Sequence, residues 1–92
     1  MKKIPETIKR VHDLAKESAK RGDLPVDAAY LHYDAQEDEW VICDNYERFC
    51  NTMLTCKAGV WRTRSMYGGD ADGNEMTQEA AEANARLMFS DG

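Results

Sequence analysis

At Val26 the spacing of apolar side chains changes, and that change constrains the fold more than any other feature of the chain. Before it, Ile4, Ile8, Val11, Ala15 and Ser18 recur at intervals of three and four, with Leu14 and Ala19 widening the stripe. That is the period of one helix face. After it, Ala29, Leu31 and Tyr33 alternate with Ala28, Tyr30 and His32, which is the period of a half-buried strand. A helix and a sheet each have one apolar side to hide, so a short chain containing both hides one against the other.

The boundaries follow from local chemistry. A helix is expected over residues 5–21: Pro5 suits the first turn, Glu6 faces the positive end of the dipole, and Lys16, Lys20 and Arg21 sit toward the negative end. Gly22 is the expected left-handed stop, and Asp23-Leu24-Pro25 turns the chain. Strands are expected at 26–33, 40–43, 48–57 and 60–67. Residues 34–38 form a polar hairpin loop, 44–47 a turn or bulge, and Lys57-Ala58-Gly59 a tight turn. Residues 68–75 read as a flexible polar loop. A closing helix, capped by Asn74 or Thr77, then runs to about Phe89. Its apolar residues make two rows, one of Met76, Ala80, Ala83 and Leu87, the other of Ala81, Ala85 and Met88. The expectation is one α+β domain over residues 1–92: a four-stranded antiparallel sheet flanked by an N-terminal and a C-terminal helix on one face, the other face partly wet.

Composition bounds the function. With 92 residues the chain can bury roughly 60–70% of its unfolded surface, enough for one core. No apolar run approaches the roughly 18–20 residues that cross a bilayer, and Met-Lys-Lys is not followed by an apolar signal core, so neither membrane nor conventional secretion is expected. Cys43, Cys50 and Cys56 are odd in number and contain no Cys-x-x-Cys pair, which suits a reducing cytoplasm and thiols acting as small hydrophobes. A zinc site would have to recruit His12 or His32 from distant segments, and no cofactor is expected. In Gly68-Gly69-Asp70-Ala71-Asp72-Gly73, two aspartates and Glu79 fall at calcium-loop spacing around Gly73. Gly68 nevertheless stands where the first carboxylate belongs, so a solvated loop is expected. No nucleophile, base and orienting group can be assembled, so an enzyme is not expected.

Two charged groups stand out as partner-binding candidates. Asp34, Glu37, Asp38, Glu39, Asp44 and Glu47 crowd around the second strand; such carboxylates can imitate a phosphate backbone or dock on a basic surface, and equally can solubilise a hairpin tip. Arg62 and Arg64, two apart on a strand, project from one face and with Lys57 and Arg48 make a basic patch able to hold a nucleic-acid backbone. The net charge of −5 argues against binding free DNA or RNA, though not against RNA already held in a complex. Tyr46 and Tyr67, beside turn signals, are expected at the surface, Tyr46 as an interface anchor.

The whole chain resembles a family. The opening Met-Lys-Lys-Ile-Pro-Glu-Thr-Ile-Lys-Arg helix, the helix–sheet–helix layout and the acidic balance are similar to small phage anti-CRISPR proteins, notably inhibitors of the type I-F CRISPR-Cas surveillance complex. The resemblance implies a viral inhibitor in the host cytoplasm that evades host defence. It would bind the assembled CRISPR RNA–protein complex and prevent recognition of target DNA. Asp38 and Glu39 would then meet lysine-rich protein surfaces, and Arg62 and Arg64 the guide RNA. The alternative is a phage or bacterial accessory protein that binds one folded protein partner without touching nucleic acid.

Overall fold

The computed structural model describes residues 3–44, 52–65, 73 and 75–89. Along these run α1 (Glu6–Arg21), a 3₁₀ turn (Val26–Ala28), β1 (Ala29–Asp34), β2 (Glu39–Asp44), β3 (Thr52–Lys57), β4 (Val60–Ser65) and α2 (Gln78–Arg86). The strands form an antiparallel sheet in the order β1-β2-β3-β4. The fold is α+β, with helices at both ends of the order and a meander between.

Register settles which side chains share a face. Leu31 pairs with Ile42 and Tyr33 with Trp40, Leu54 is the next partner of Ile42, and Cys56 joins Trp40 to Trp61. These residues pack with Ile8, Val11, Leu14 and Ala15 of α1 and Ala81 and Ala85 of α2, so both helices cover one side of the sheet. Tyr30, His32, Val41, Thr55 and Arg62 alternate onto the other side. The helices run in the same direction: Gln78 Nε2 donates to the Thr7 carbonyl, Arg10 pairs with Glu82, and the Phe89 amide donates to Ser18 Oγ. Alanine at the contact positions of α2 lets the helices approach closely.

Several local expectations are corrected. Residues 26–28 make a 3₁₀ turn, with the Ala28 amide bonded to the Pro25 carbonyl, so β1 starts at Ala29. The left-handed residue ending α1 is Asp23, at φ 62°, whereas Gly22 has φ −84°. The Asp23 amide reaches the Lys20 carbonyl and the Leu24 amide that of Ala19, the paired bonds of a Schellman ending. Gly22 instead leaves room for the chain beyond α2, since a Cβ there would lie 3.3 Å from the Phe89 carbonyl oxygen. Met76 is not helical. Its amide donates to the Trp61 carbonyl and the Gly73 amide to that of Thr63, so this stretch lies along the outer edge of β4. Thr77 is the cap of α2, its hydroxyl accepting from the Ala80 amide at 3.1 Å. Of the two apolar rows in that helix, Ala81, Ala85 and Met88 are buried, while Leu87 is 68% exposed because the helix stops at Arg86. The turn after it carries Phe89 into the core.

The turn between β3 and β4 is as expected. The Ala58-Gly59 pair has φ values of 52° and 81°, the two positive angles of a type I′ hairpin, which matches strand twist. Alanine is strained there. His12 is half-buried, and its Nε2 hydrogen-bonds the Ala29 carbonyl at 2.9 Å, tying α1 to the start of β1. Burial holds its pKa below the usual 6.5; the carbonyl bond opposes that shift and nearby Lys16 reinforces it.

Three stability measurements check this description. Gly73→Ala places a methyl 2.0 Å from Thr63 Oγ1, and denaturant melts should show a loss of about 1–3 kcal/mol that Thr63→Ala restores only in part, because the carbonyl oxygen and Cβ of residue 63 stay 3.0 and 3.2 Å from the methyl. Ala58→Asn should raise stability by about 1 kcal/mol, since asparagine tolerates the left-handed region. Because the neutral form of His12 is favoured in the fold, its contribution is complete above its unfolded pKa of about 6.5 and is lost as pH falls through the lowered folded value. Urea midpoints measured across that window should fall with acid in the wild type and fall less in His12→Gln.

Candidate functional site

The hairpin between β1 and β2 is held by side-chain hydrogen bonds at its base and its tip. Asp34 Oδ1 accepts from the amides of Gln36 and Glu37 at 3.0 and 3.3 Å, an aspartate turn that holds the loop by its base. Tyr33 donates its hydroxyl to Asp38 Oδ1, and Asp38 adopts φ 55° to lead into β2. Tyr33 is itself braced by Trp40 across the strand pair, ring centroids 5.2 Å apart. Loop residues 35–38 are all exposed. The carboxylates at the tip thus stand on a backbone already fixed.

A cleft of about 320 Å³ opens beside this tip, between the hairpin turns and the start of α1. Pro5, Ile8, Trp40 and Cys56 supply apolar walls, and Asp38 stands at its edge. Burial pushes the Cys56 thiol above its usual pKa, offset in part by a backbone hydrogen bond from Gly59. It is a protonated, weakly reactive part of the wall. The N-terminus of α1 opens onto the same cleft, and its dipole favours the negative charge of Asp38. The arrangement offers one apolar socket with a carboxylate rim, suited to a partner's aliphatic side chain flanked by a cation.

The residues singled out in the sequence are distributed unevenly around this site. Asp38 is at the tip. Glu39 is only 5% exposed, because it begins β2 in register with Asp34 and Lys57, and so presents little charge outward. Lys57 joins the acidic side: its Nζ lies 3.5 Å from Glu37 Oε2. Arg62 lies on the helix-free face, where its Nη2 donates to Glu75 Oε1 at 2.7 Å. Of the four cations of the expected basic patch, Lys57 pairs with the hairpin and Arg62 with the segment along β4. Arg64 is in β4 opposite Met53, its side chain outside the described residues. Arg48, Tyr46, Cys50, Tyr67 and the aspartates of the calcium-like loop also lie outside them. Among the described residues no cluster of three or more His, Cys, Asp or Glu is placed to hold a metal ion, and no helix is long and apolar enough to cross a membrane.

Sequence reasoning overlooked Gln78, Glu75 and the cleft. Gln78 carried a faint signal, a polar residue in the first turn of a helix on the side of its buried row. Glu75 and the cleft carried none, since both arise from segments that meet only when folded. Compared with known proteins, the chain matches no family model, no curated protein and no solved structure.

Proposed function

We propose that this protein is a non-enzymatic inhibitor that docks through the β1–β2 hairpin on a basic surface of a CRISPR RNA-guided surveillance complex and keeps target DNA from it. The reading joins the resemblance of the chain to type I-F inhibitors with one structural observation: a carboxylate-bearing tip on a hydrogen-bonded turn, beside an apolar socket. A groove that binds DNA presents lysine and arginine to phosphates. Fixed carboxylates compete for those cations without the entropy cost of ordering a loose loop. The neighbouring cleft supplies the apolar contact that charge alone lacks.

The test is a gel shift with purified surveillance complex and its target duplex. Excess wild-type protein should abolish the shifted band. A Gln36→Lys/Glu37→Lys double variant reverses charge at the tip while leaving the Asp34 turn intact, since that turn bonds backbone amides. It should need at least about tenfold more protein for the same effect, the equivalent of 1.4 kcal/mol. Full DNA binding in the presence of saturating wild type would overturn the proposal, and stoichiometric capture of a single folded partner instead would favour an accessory role.

A further inference from the structure

The two outer edges of the sheet differ. Along β4 the Met76 and Gly73 amides donate to the Trp61 and Thr63 carbonyls at 2.9 and 2.7 Å, so that edge is paired. Those bonds also fix which way the backbone points throughout the sheet, because in an antiparallel ladder the N–H and C=O of one residue turn together and those of the next turn back. With Trp61 and Thr63 turned outward, Arg62 bonds toward Thr55, Leu54 and Cys56 toward Ile42 and Trp40, and Val41 toward His32. Ala29, Leu31 and Tyr33 therefore turn their backbone groups away from β2. The Ala29 carbonyl agrees, since it meets His12 Nε2 on that outer side at 2.9 Å. Among the described residues, no hydrogen bond reaches the outward N–H and C=O of Leu31.

The devices that keep an edge strand single are absent from β1. It pairs with β2 one residue to one over its whole length, without a bulge, and it contains no proline and no lysine. Its side chains are also incompletely covered. Tyr30 is 48% exposed, and Leu31 and Tyr33 on the core side are half-buried, whereas Trp40, Ile42, Leu54 and Trp61 on the other strands are buried.

We infer that β1 is the pairing edge of a weak homodimer, in which the β1 of a second copy adds antiparallel to it about a two-fold axis at Leu31. The strand is complementary to itself in that register. Leu31 meets Leu31 on the core side, and on the other side Tyr30 comes opposite the second copy's His32, which joins two ring pairs whose centroids already stand 5.4 Å apart within each strand. No like charges come opposite, since residues 29–33 contain no carboxylate, lysine or arginine. Across the axis the two Leu31 residues exchange their N–H and C=O bonds. With the outer edge of β4 already paired, addition closes at two copies and does not grow into a filament. So short a contact belongs among the weak pairs that bury less than about 1,200 Å². The inference is independent of the hairpin reading, which concerns the tip beyond β1 and its cleft.

The test is sedimentation equilibrium of the intact protein from about 10 µM to about 1 mM, where weak pairs of this kind become populated, together with amide hydrogen exchange over the same range. The mass should rise toward that of two chains. The Leu31 amide, which lies outside the β1–β2 ladder, should exchange several-fold more slowly at the highest concentration, while the His32 amide, bonded to β2 in either state, should change little. Tyr30→Lys places a lysine beside the axis at an exposed position and should weaken dimerisation about tenfold without loss of the fold, whereas Tyr30→Phe should retain it. A wild type that stays monomeric to about 1 mM would overturn the inference. So would species larger than two chains, or a dimer in which Leu31 exchange is independent of concentration and Tyr30→Lys has no effect, because its interface would then lie elsewhere.

Discussion

The side-chain amide of Gln78 holds the helix layer to the sheet, and the remaining geometry depends on that junction. Trp61 is the largest fully buried side chain, and its indole N–H donates to Gln78 Oε1 at 2.8 Å. The same amide donates from Nε2 to the Thr7 carbonyl of α1 and to Glu82. A buried indole N–H without an acceptor would cost about 1–3 kcal/mol, so the site of greatest apolar burial also demands a specific polar partner. Supplying it from the first turn of α2 sets that helix beside β4 with its N-terminus near the N-terminus of α1. The parallel helix pair follows, with Ser18 and the Phe89 amide closing the other end.

That parallel arrangement separates charge along the molecule. Both helix N-termini lie near the β3–β4 turn, and the β1–β2 hairpin reaches the same end: Asp38, Pro5, Thr7 and Gly59 share one cleft, while Gly59, Thr77 and Ala80 line its neighbour. Acidic groups there face the positive ends of helix dipoles. The basic residues Lys20, Arg21 and Arg86 gather where the helices end. One end therefore presents Asp38 beside an apolar socket, while the outer surface of the helices mixes six cations with five carboxylates.

Much of the architecture was legible because period and turn chemistry act locally. The stripe from Ile8 to Ala19 marked the buried side of α1, and the alternation through β1 and β4 put Leu31, Tyr33 and Trp61 on one face. Errors fell where a distant segment changed a local preference. Gly22 looked like the left-handed residue, yet the approach of Phe89 made an open Cα useful there and left Asp23 to reverse the chain. Met76 fitted a helical row, but the free edge of β4 captured its amide before the helix began. Leu87, in an apolar row of the expected helix, is exposed and Phe89 is buried because α2 ended earlier than its pattern suggested.

Site residues were less legible than the fold for a related reason. Charge type, helix face and strand face are properties of a residue and its neighbours in the chain, so sequence alone determined that α1 is cationic outside, that the first hairpin is acidic and that Arg62 leaves the core side of its strand. Which charges remain available is a property of pairs. Only tertiary structure placed Glu75 against Arg62, Glu37 against Lys57 and Glu82 between Arg10 and Arg86, and only strand register buried Glu39. The Coulomb energy of each pair depends on separation in space, and no spacing along the chain encodes a 2.7 Å contact between residues 13 positions apart.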